Sequence, residues 1–372
     1  MNVPDLKSLG LKQVINASGK MTILGVSTVS EAVLAAQRLG GTRFFEMKDL
    51  MEKSGSYLAG LLNVEDAQIV SCASAGIAQS VAALIGRGSL RHVHEPFNEE
   101  LFPKREIIIP KGHNVDYGTP MEVMVALGGG NVVEAGYANM CSSQHLELKV
   151  SNLTAGILYV KSHHTVQKSM LTVKEAAAVA RKYDVPLIID AAAEEDLFKY
   201  AAHGGDLVIY SGAKALSGPS AGLVIGKKEY VEWVRLQGAG IGRAMKIGKE
   251  NVLGFVAAVE SYLEKGAESG AAMRTRLEPF VQALNNVPYL KGSIVQDGAG
   301  RDIFRGAVQV QEPFSASGII KSLKAGDPAV YVREYQANQG IIEFDIRDVS
   351  QDEMETIVNI LDNIIRGDRS CH

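Results

Sequence analysis

Apolar residues in this chain follow two periodicities that alternate along most of its length. Short apolar runs read as strands buried on both faces: "AQIVSC" (67–72), "EIIIP" (106–110), "GILYVKS" (156–162), "VPLIID" (185–190), "DLVIYS" (206–211) and "AGLVIG" (221–226). Between them apolar residues recur at helical spacing, roughly over 29–39 and 46–62, and in "IAQSVAALIG" (77–86) and "KEAAAVARKY" (174–183). Capping boxes at Thr28–Glu31, Thr172–Glu175 and Ser350–Glu353 mark helix starts. Strands alternating with helices predict an α/β fold with a mostly parallel central sheet covered on both faces. After about residue 250 the texture changes to a long helix (roughly 250–265), strands near 307–311, 329–334 and 341–346, and the closing helix "METIVNILDNII". That tail reads as a smaller α+β domain. The expected organisation is an N-terminal arm and helix over 1–45, a large domain over 46–249 and a small C-terminal domain over 250–372.

Length and charge narrow the classes. A chain of 372 residues is long enough for two domains and a buried sheet. The net charge of -4, without blocks of like charge, counts against a nucleic-acid partner, because phosphate-backbone binding needs clustered Lys and Arg. Cys72, Cys141 and Cys371 are scattered and show neither a disulfide framework nor metal spacing. "MNVPDLKSLGLKQV" lacks the basic and apolar pattern of a signal peptide, and no run reaches the length of a membrane span. The expectation is a cytoplasmic protein with no metal.

The chemistry starts from "YSGAKALSGPSAGLVIG" (210–226), where Lys214 stands among small, apolar and hydroxylic residues. In open parallel sheets, ligands bind beyond the carboxyl ends of the strands. Three strands here end suggestively: one in Ser74-Ala75-Gly76 before a helix, one in Asp190, and one in Ser211-Gly212-Ala213-Lys214. A helix N-terminus with small residues and a hydroxyl suits a phosphate. With a carboxylate and an amine, these are the groups a pyridoxal 5'-phosphate site needs. The carboxylate keeps the pyridine nitrogen protonated, and desolvation lowers the lysine pKa so that its amine is free to react. Ala192 is small enough to lie flat against a ring. Each residue also has a simpler reading. Lys214 fits a surface turn, Asp190 a helix N-cap, Ser74–Gly76 a tight turn, and Ser211 a bond to its own backbone.

"SGAKALSGPSAGLVIG" resembles the lysine motif of fold-type I pyridoxal phosphate enzymes, and more narrowly that of the selenocysteine-synthase-like (seryl-tRNA selenium transferase-like) group. The likeness extends to "INASGKMTILG", to "TRFFEMKDLMEKSGSYLAGLLNVEDAQIVSCASAG" and to "GRAMKIGKENVLG", and so covers most of the chain. It implies an aspartate-aminotransferase-like fold and pyridoxal 5'-phosphate as cofactor. Lys214 is then the Schiff-base residue, Asp190 sits at the pyridine nitrogen, and Ser74, Ala75, Gly76 and Ser211 surround the phosphate. Within the group the similarity points to ammonia-lyases of amino-sugar acid phosphates, working by α,β-elimination. Aldol cleavage, racemisation, selenium transfer and a non-catalytic tRNA- or protein-binding role use the same scaffold. The acidic charge and the lack of an extra N-terminal tRNA domain set the chain apart from true selenium transferases.

Fold-type I sites usually stack a ring on the cofactor, and His113 in "KGHNVDYG" is the candidate; a loop histidine without a role is the alternative. His163 and His164 follow a strand on the ligand side and are candidates for substrate contact, or an exposed pair. The substrate's carboxylate and phosphate call for cations: Arg43, Arg243, Lys246, Lys249, Arg333 and Arg347. A homodimer or higher homo-oligomer with shared sites is expected, with a small-molecule substrate and no nucleic-acid or membrane partner. "GAGIGR" (238–243) lacks the last glycine of a dinucleotide fingerprint and follows a helical segment, so a nicotinamide site is rejected. Gly128-Gly129-Gly130 reads as a turn.

Overall fold

A computed structural model of the chain describes residues 6–162, 164–297 and 302–367. The chain forms two compact units, Val29–Gly266 and a second built from Met1–Thr28 with Ala267–His372.

The larger unit is organised by a seven-stranded sheet. Its strands are β2 (Asp66–Val70), β3 (Glu106–Pro110), β4 (Asn131–Ala135), β5 (Thr154–Val160), β6 (Leu187–Asp190), β7 (Leu207–Ser211) and β8 (Gly222–Gly226), with β1 (Val14–Ala17) belonging to the other unit. The order is β2-β8-β7-β6-β5-β3-β4. Only β8 runs against its neighbours; every other pairing is parallel. The carboxyl ends of β2, β3, β5, β6 and β7 therefore share one edge.

Successive residues of one strand serve two cores. Ile108, Ile189 and Val208 pack with the helices Met47–Leu62, Val173–Lys182 and Lys249–Lys265 on one face. Ile107, Ile109, Ile188 and Ile209 pack with Ala73–Gly86, Met121–Leu127 and Lys228–Leu236 on the other. Burial on both faces explains why these strands read as unbroken apolar runs.

Element bounds shift locally from the expectation. The first helix spans Glu31–Thr42 and is capped by Ser30, whose hydroxyl accepts from the Val33 amide at 3.4 Å, not by Thr28. The helix after β2 starts at Ala73, so Ser74, Ala75 and Gly76 form its first turn. Three strands went unread: β1 is only four residues long, β4 is only partly covered, and β9 (Leu290–Gln296) alternates weakly.

The smaller unit holds an antiparallel sheet of β9, β10 (Phe304–Val310) and β12 (Ile341–Phe344), with β10 central. β1 pairs in parallel with β11 (Ala329–Val332). The helices Gly270–Asn285, Ala316–Ala325 and Gln351–Gly367 cover a core that includes Ile15 and Ala17. Residues 14–17 thus supply a strand of this unit.

The boundaries expected at 45 and 249 differ from those of the compact units, which fall at 28 and 266. The cause is a close crossing of Glu31–Thr42 with Lys249–Lys265. Gln37 Nε2 donates to Asn251 Oδ1 at 2.9 Å, and Lys249 Nζ donates to the carbonyls of Gly40 and Gly41 at 2.5 and 3.1 Å. A Cβ on Gly40 would lie 2.6 Å from Glu250 Cα.

Gly55 marks the tightest approach of the helix Met47–Leu62 to β2: a Cβ there would sit 2.2 Å from the Ala67 carbonyl oxygen. Alanine gains roughly 1 kcal/mol in helix propensity, but backbone cannot yield as a flexible side chain does. Gly55→Ala is expected to destabilise the protein by about 2 kcal/mol net. Urea unfolding followed by circular dichroism reads this; an unchanged midpoint would contradict the packing described.

Candidate active site

Asp190 ends β6 and is 8 % exposed. Its Oδ1 accepts from the Ala192 amide at 3.0 Å, a short-range turn bond, and no helix starts there, so it is not an N-cap. Burial pushes this carboxyl above its ordinary value, while the Ala192 amide and the Lys214 charge pull the other way. Among the described residues no cation forms an ion pair with it. A buried carboxylate without a paired cation favours a ligand that brings one.

Lys214 lies in the loop after β7, half-buried, and its amine makes no hydrogen bond or ion pair. The loop is pinned by Gly212 N donating to Ala221 O and Gly218 N donating to Gly212 O, both at 2.8 Å. Glycine is needed at 212 because a Cβ would meet the Phe255 ring at 2.8 Å. The free amine, held beside the Asp190 carboxyl, fits an imine-forming lysine better than a solvated turn lysine.

The helix Ala73–Gly86 begins at the same edge. Cys72 is its N-cap, its Sγ accepting from the Ala75 amide at 3.4 Å, and the Gly76 amide donates to Cys72 O at 3.0 Å. The Ala75 and Gly76 amides are therefore engaged within the helix's own first turn. The unpaired amides are those of Ala73 and Ser74, as the open first turn of a helix requires. Gly76 serves packing instead: a Cβ there would lie 3.1 Å from Ile209 Cγ2 and 3.2 Å from Val224 Cγ2. Ser211 is half-buried, its amide donating to Ala192 O at 3.3 Å, which draws Ala192, Asp190 and Ser211 together.

His113 is fully buried, packed edge-on against Tyr159 with ring centroids 4.5 Å apart. Neither ring nitrogen has a well-formed hydrogen bond. Burial lowers its pKa to about 4, so the ring is neutral near pH 7. His164 is exposed, and desolvation followed by the Lys214 charge holds its pKa below the usual value. His163 lies outside the described residues.

The arginine candidates divide. Arg43, at the end of Glu31–Thr42, and Arg243 are exposed, and neither is engaged with Asp190 or Lys214 in this chain. Lys249 is committed to the Gly40 and Gly41 carbonyls; Lys246 is exposed. Arg333 and Arg347 belong to the other unit. Arg347 forms a bidentate pair with buried Asp345 at 2.9 and 2.8 Å, and Arg333 lies 3.5 Å from Glu343. These pairs join buried Arg305, which also reaches Asp297 and Asp345.

Tyr117 was missed by sequence reading. Its hydroxyl lies 3.2 Å from Ser74 Oγ, and it feels the Asp190 and Cys72 charges. The available signal was an aromatic in the loop after β3, in "GHNVDYG". Among the described residues no group of three His, Cys, Asp or Glu side chains is arranged to hold a metal ion.

Comparison with known proteins decides the lineage. A family model described as L-seryl-tRNA selenium transferase matches residues 98–277. The chain is 43 % identical over 360 residues to a D-glucosaminate-6-phosphate ammonia lyase of Salmonella typhimurium, covering 95 % of each. The chain belongs to the selenocysteine-synthase-like family. A second member, a 5'-C-glycyluridine monooxygenase-decarboxylase from a Streptomyces species, is 35 % identical over 97 % of this chain and 92 % of its own. A solved D-glucosaminate-6-phosphate ammonia-lyase superposes with a TM-score of 0.91 at 42 % identity, covering 99 % of both chains. A Thermus thermophilus aspartate aminotransferase shares the fold alone, with a TM-score of 0.52 at 16 % identity and coverage of 96 % and 93 %. The architecture of this selenocysteine-synthase-like chain is therefore fold-type I, and its family is one of pyridoxal phosphate enzymes.

The buried His113 carries a pH signature. Its folded pKa of about 4 lies below the ordinary imidazole value of 6.5, so in that window the unfolded chain takes up a proton that the folded one refuses. Acidification from pH 7 to 5 therefore costs roughly 2 kcal/mol at this site, and the effect vanishes above the unfolded pKa. Without added coenzyme, the urea midpoint of the wild type is expected to fall more steeply over this range than that of His113→Phe. Parallel slopes would count against it.

Proposed function

We propose that this chain is a pyridoxal 5'-phosphate-dependent ammonia-lyase that converts D-glucosaminate 6-phosphate to 2-keto-3-deoxy-6-phosphogluconate. The observation that carries the reading is the buried Asp190 carboxyl, without an ion-pair partner, beside the unpaired Lys214 amine at one sheet edge. The resemblance over nearly the full chain to an enzyme of that name supports the substrate.

The residues fit the cofactor. Asp190 gains the cation it lacks from a protonated pyridine nitrogen. The Ala73 and Ser74 amides, with the Ser74 and Ser211 hydroxyls, hold the phosphate, and the positive end of the helix favours its charge. Small, half-buried Ala192 supplies an uncharged surface for the ring. When bound, the cofactor supplies an electron sink for the negative charge left at the substrate's α-carbon.

The chain's own groups then handle the protons. Lys214 takes the α-proton at Nζ and holds it within the pocket. The C3 hydroxyl leaves as water, assisted by a proton donor, and His164, which feels the Lys214 charge, is read as a substrate contact. The enamine so formed tautomerises and is hydrolysed, returning the water, so the net loss is ammonia. Arg43 and Arg243, free of ion pairs, are read as binding the substrate's anionic groups.

The same reading makes the protein a cytoplasmic homo-oligomer with shared sites. Phe44 is 100 % exposed and Leu39 52 %, next to Arg43, as expected of a surface that a second copy covers. No helix among the described residues is long and apolar enough to cross a membrane.

Purified protein is expected to be yellow, and borohydride reduction to fix a label on Lys214. Lys214→Ala is expected to lose the covalent label and ammonia release together. Asp190→Asn is expected to lower kcat by about 10² or more, measured as ammonia and 2-keto acid formed from D-glucosaminate 6-phosphate. Oxygen uptake or carbon dioxide release in place of ammonia would assign a different reaction to the same site. Absence of a label on Lys214 would remove the reading altogether.

A further inference from the structure

The segment after β3 makes a tight turn. Met121 N donates to Val115 O at 3.0 Å, Tyr117 N to Thr119 O at 3.2 Å, and Gly118 N to Asp116 Oδ1 at 2.7 Å. Gly118 has a φ of +109°, which a side chain would strain. The turn delivers Tyr117 to the cluster that includes Val70, Ala73, Ile77 and Ile109, against which its ring packs. Its hydroxyl then meets Ser74 Oγ at 3.2 Å, at the first turn of Ala73–Gly86.

A serine hydroxyl has one proton and two lone pairs. If Ser74 donates to Tyr117, it shows only lone pairs to an anion. If Tyr117 donates to Ser74, the serine proton is free for the anion, and the two bonds in series polarise each other. A phosphate dianion selects the second arrangement. We propose that Tyr117 is a positioning residue for the phosphate end of the site, donating to Ser74 Oγ and so directing the Ser74 proton toward the phosphate.

Three further observations support this. Burial raises the pKa of the phenol; the Ser74 bond acts against that rise, and the Asp190 charge adds to it, so the group stays a donor. Asp190, which that phenol senses, is the buried carboxyl without an ion-pair partner. His113, four residues earlier, is fully buried and neither of its ring nitrogens makes a well-formed hydrogen bond, so a second polar group beside this turn has hydrogen-bonding capacity to spare.

The inference rests on the pyridoxal phosphate reading, and its test separates the two. Coenzyme is stripped from the wild type, Tyr117→Phe, Ser74→Ala and the double variant, and each is titrated with pyridoxal 5'-phosphate and with pyridoxal by absorbance. Tyr117→Phe is expected to weaken pyridoxal 5'-phosphate about tenfold, because the Ser74 proton is then no longer directed into its charge-assisted bond with the phosphate, while pyridoxal changes by less than about twofold. Ser74→Ala is expected to show the same selective loss, and the double variant to lose no more than Ser74→Ala alone. A merely structural tyrosine would weaken both compounds alike; that result, or no change for either, overturns the inference while the coenzyme reading stands. Wild type that binds neither compound overturns both. Melting temperatures confirm that the variants fold.

Discussion

A carboxyl group buried at the end of a parallel strand, with no cation in contact, sets the terms for the rest of this protein. Asp190 is costly to ionise where it lies, and only a backbone amide and the field of a nearby lysine favour the charged form. The sheet keeps it there because β6 is flanked in parallel by β5 and β7, and the residues on either side of the strand sit in two separate cores. The cost is met elsewhere in the unit by those cores, and what remains is an unsatisfied preference for a buried cation. A protonated heterocyclic nitrogen satisfies it.

The neighbouring parts are arranged by close approaches that permit no side chain. Gly212 lies against Phe255, Gly222 against the Cys72 backbone and Gly76 against the sheet. The glycines around the lysine motif thus act first on packing: they bring the lysine loop, β8 and the helix Ala73–Gly86 within reach of one another. The antiparallel strand β8 matters for the same reason. It returns the chain from the lysine loop and joins β2 to the sheet, which aligns the carboxyl end of β2 with those of β6 and β7.

Much of this was legible beforehand, and the failures have physical causes. Fully apolar strands and side-chain caps depend on neighbours in sequence, so β3, β6, β7 and the Thr172–Glu175 box could be found directly. β4 and β9 escaped because partial burial leaves no clear alternation. The division into compact units at 28 and 266 leaves no local trace, because it depends on a crossing of two helices more than 200 residues apart. Gly76 looked like a phosphate donor by position, yet its amide is used within the helix. Arg347 looked like a free cation, yet Asp345 two residues earlier holds it in a bidentate pair.

The order of most strands and helices and the class of fold were determined by the sequence alone, and the sequence alone singled out the amine, the carboxyl and the hydroxyl proposed for the site, because strand ends and first turns are local features with local signatures. Which amides of that helix stay unpaired, which basic groups are already neutralised, and that Tyr117 meets Ser74 were decided only by the tertiary structure. Those properties depend on what other segments bring into contact, and hydrogen-bond capacity used by a distant residue is invisible from the residue itself.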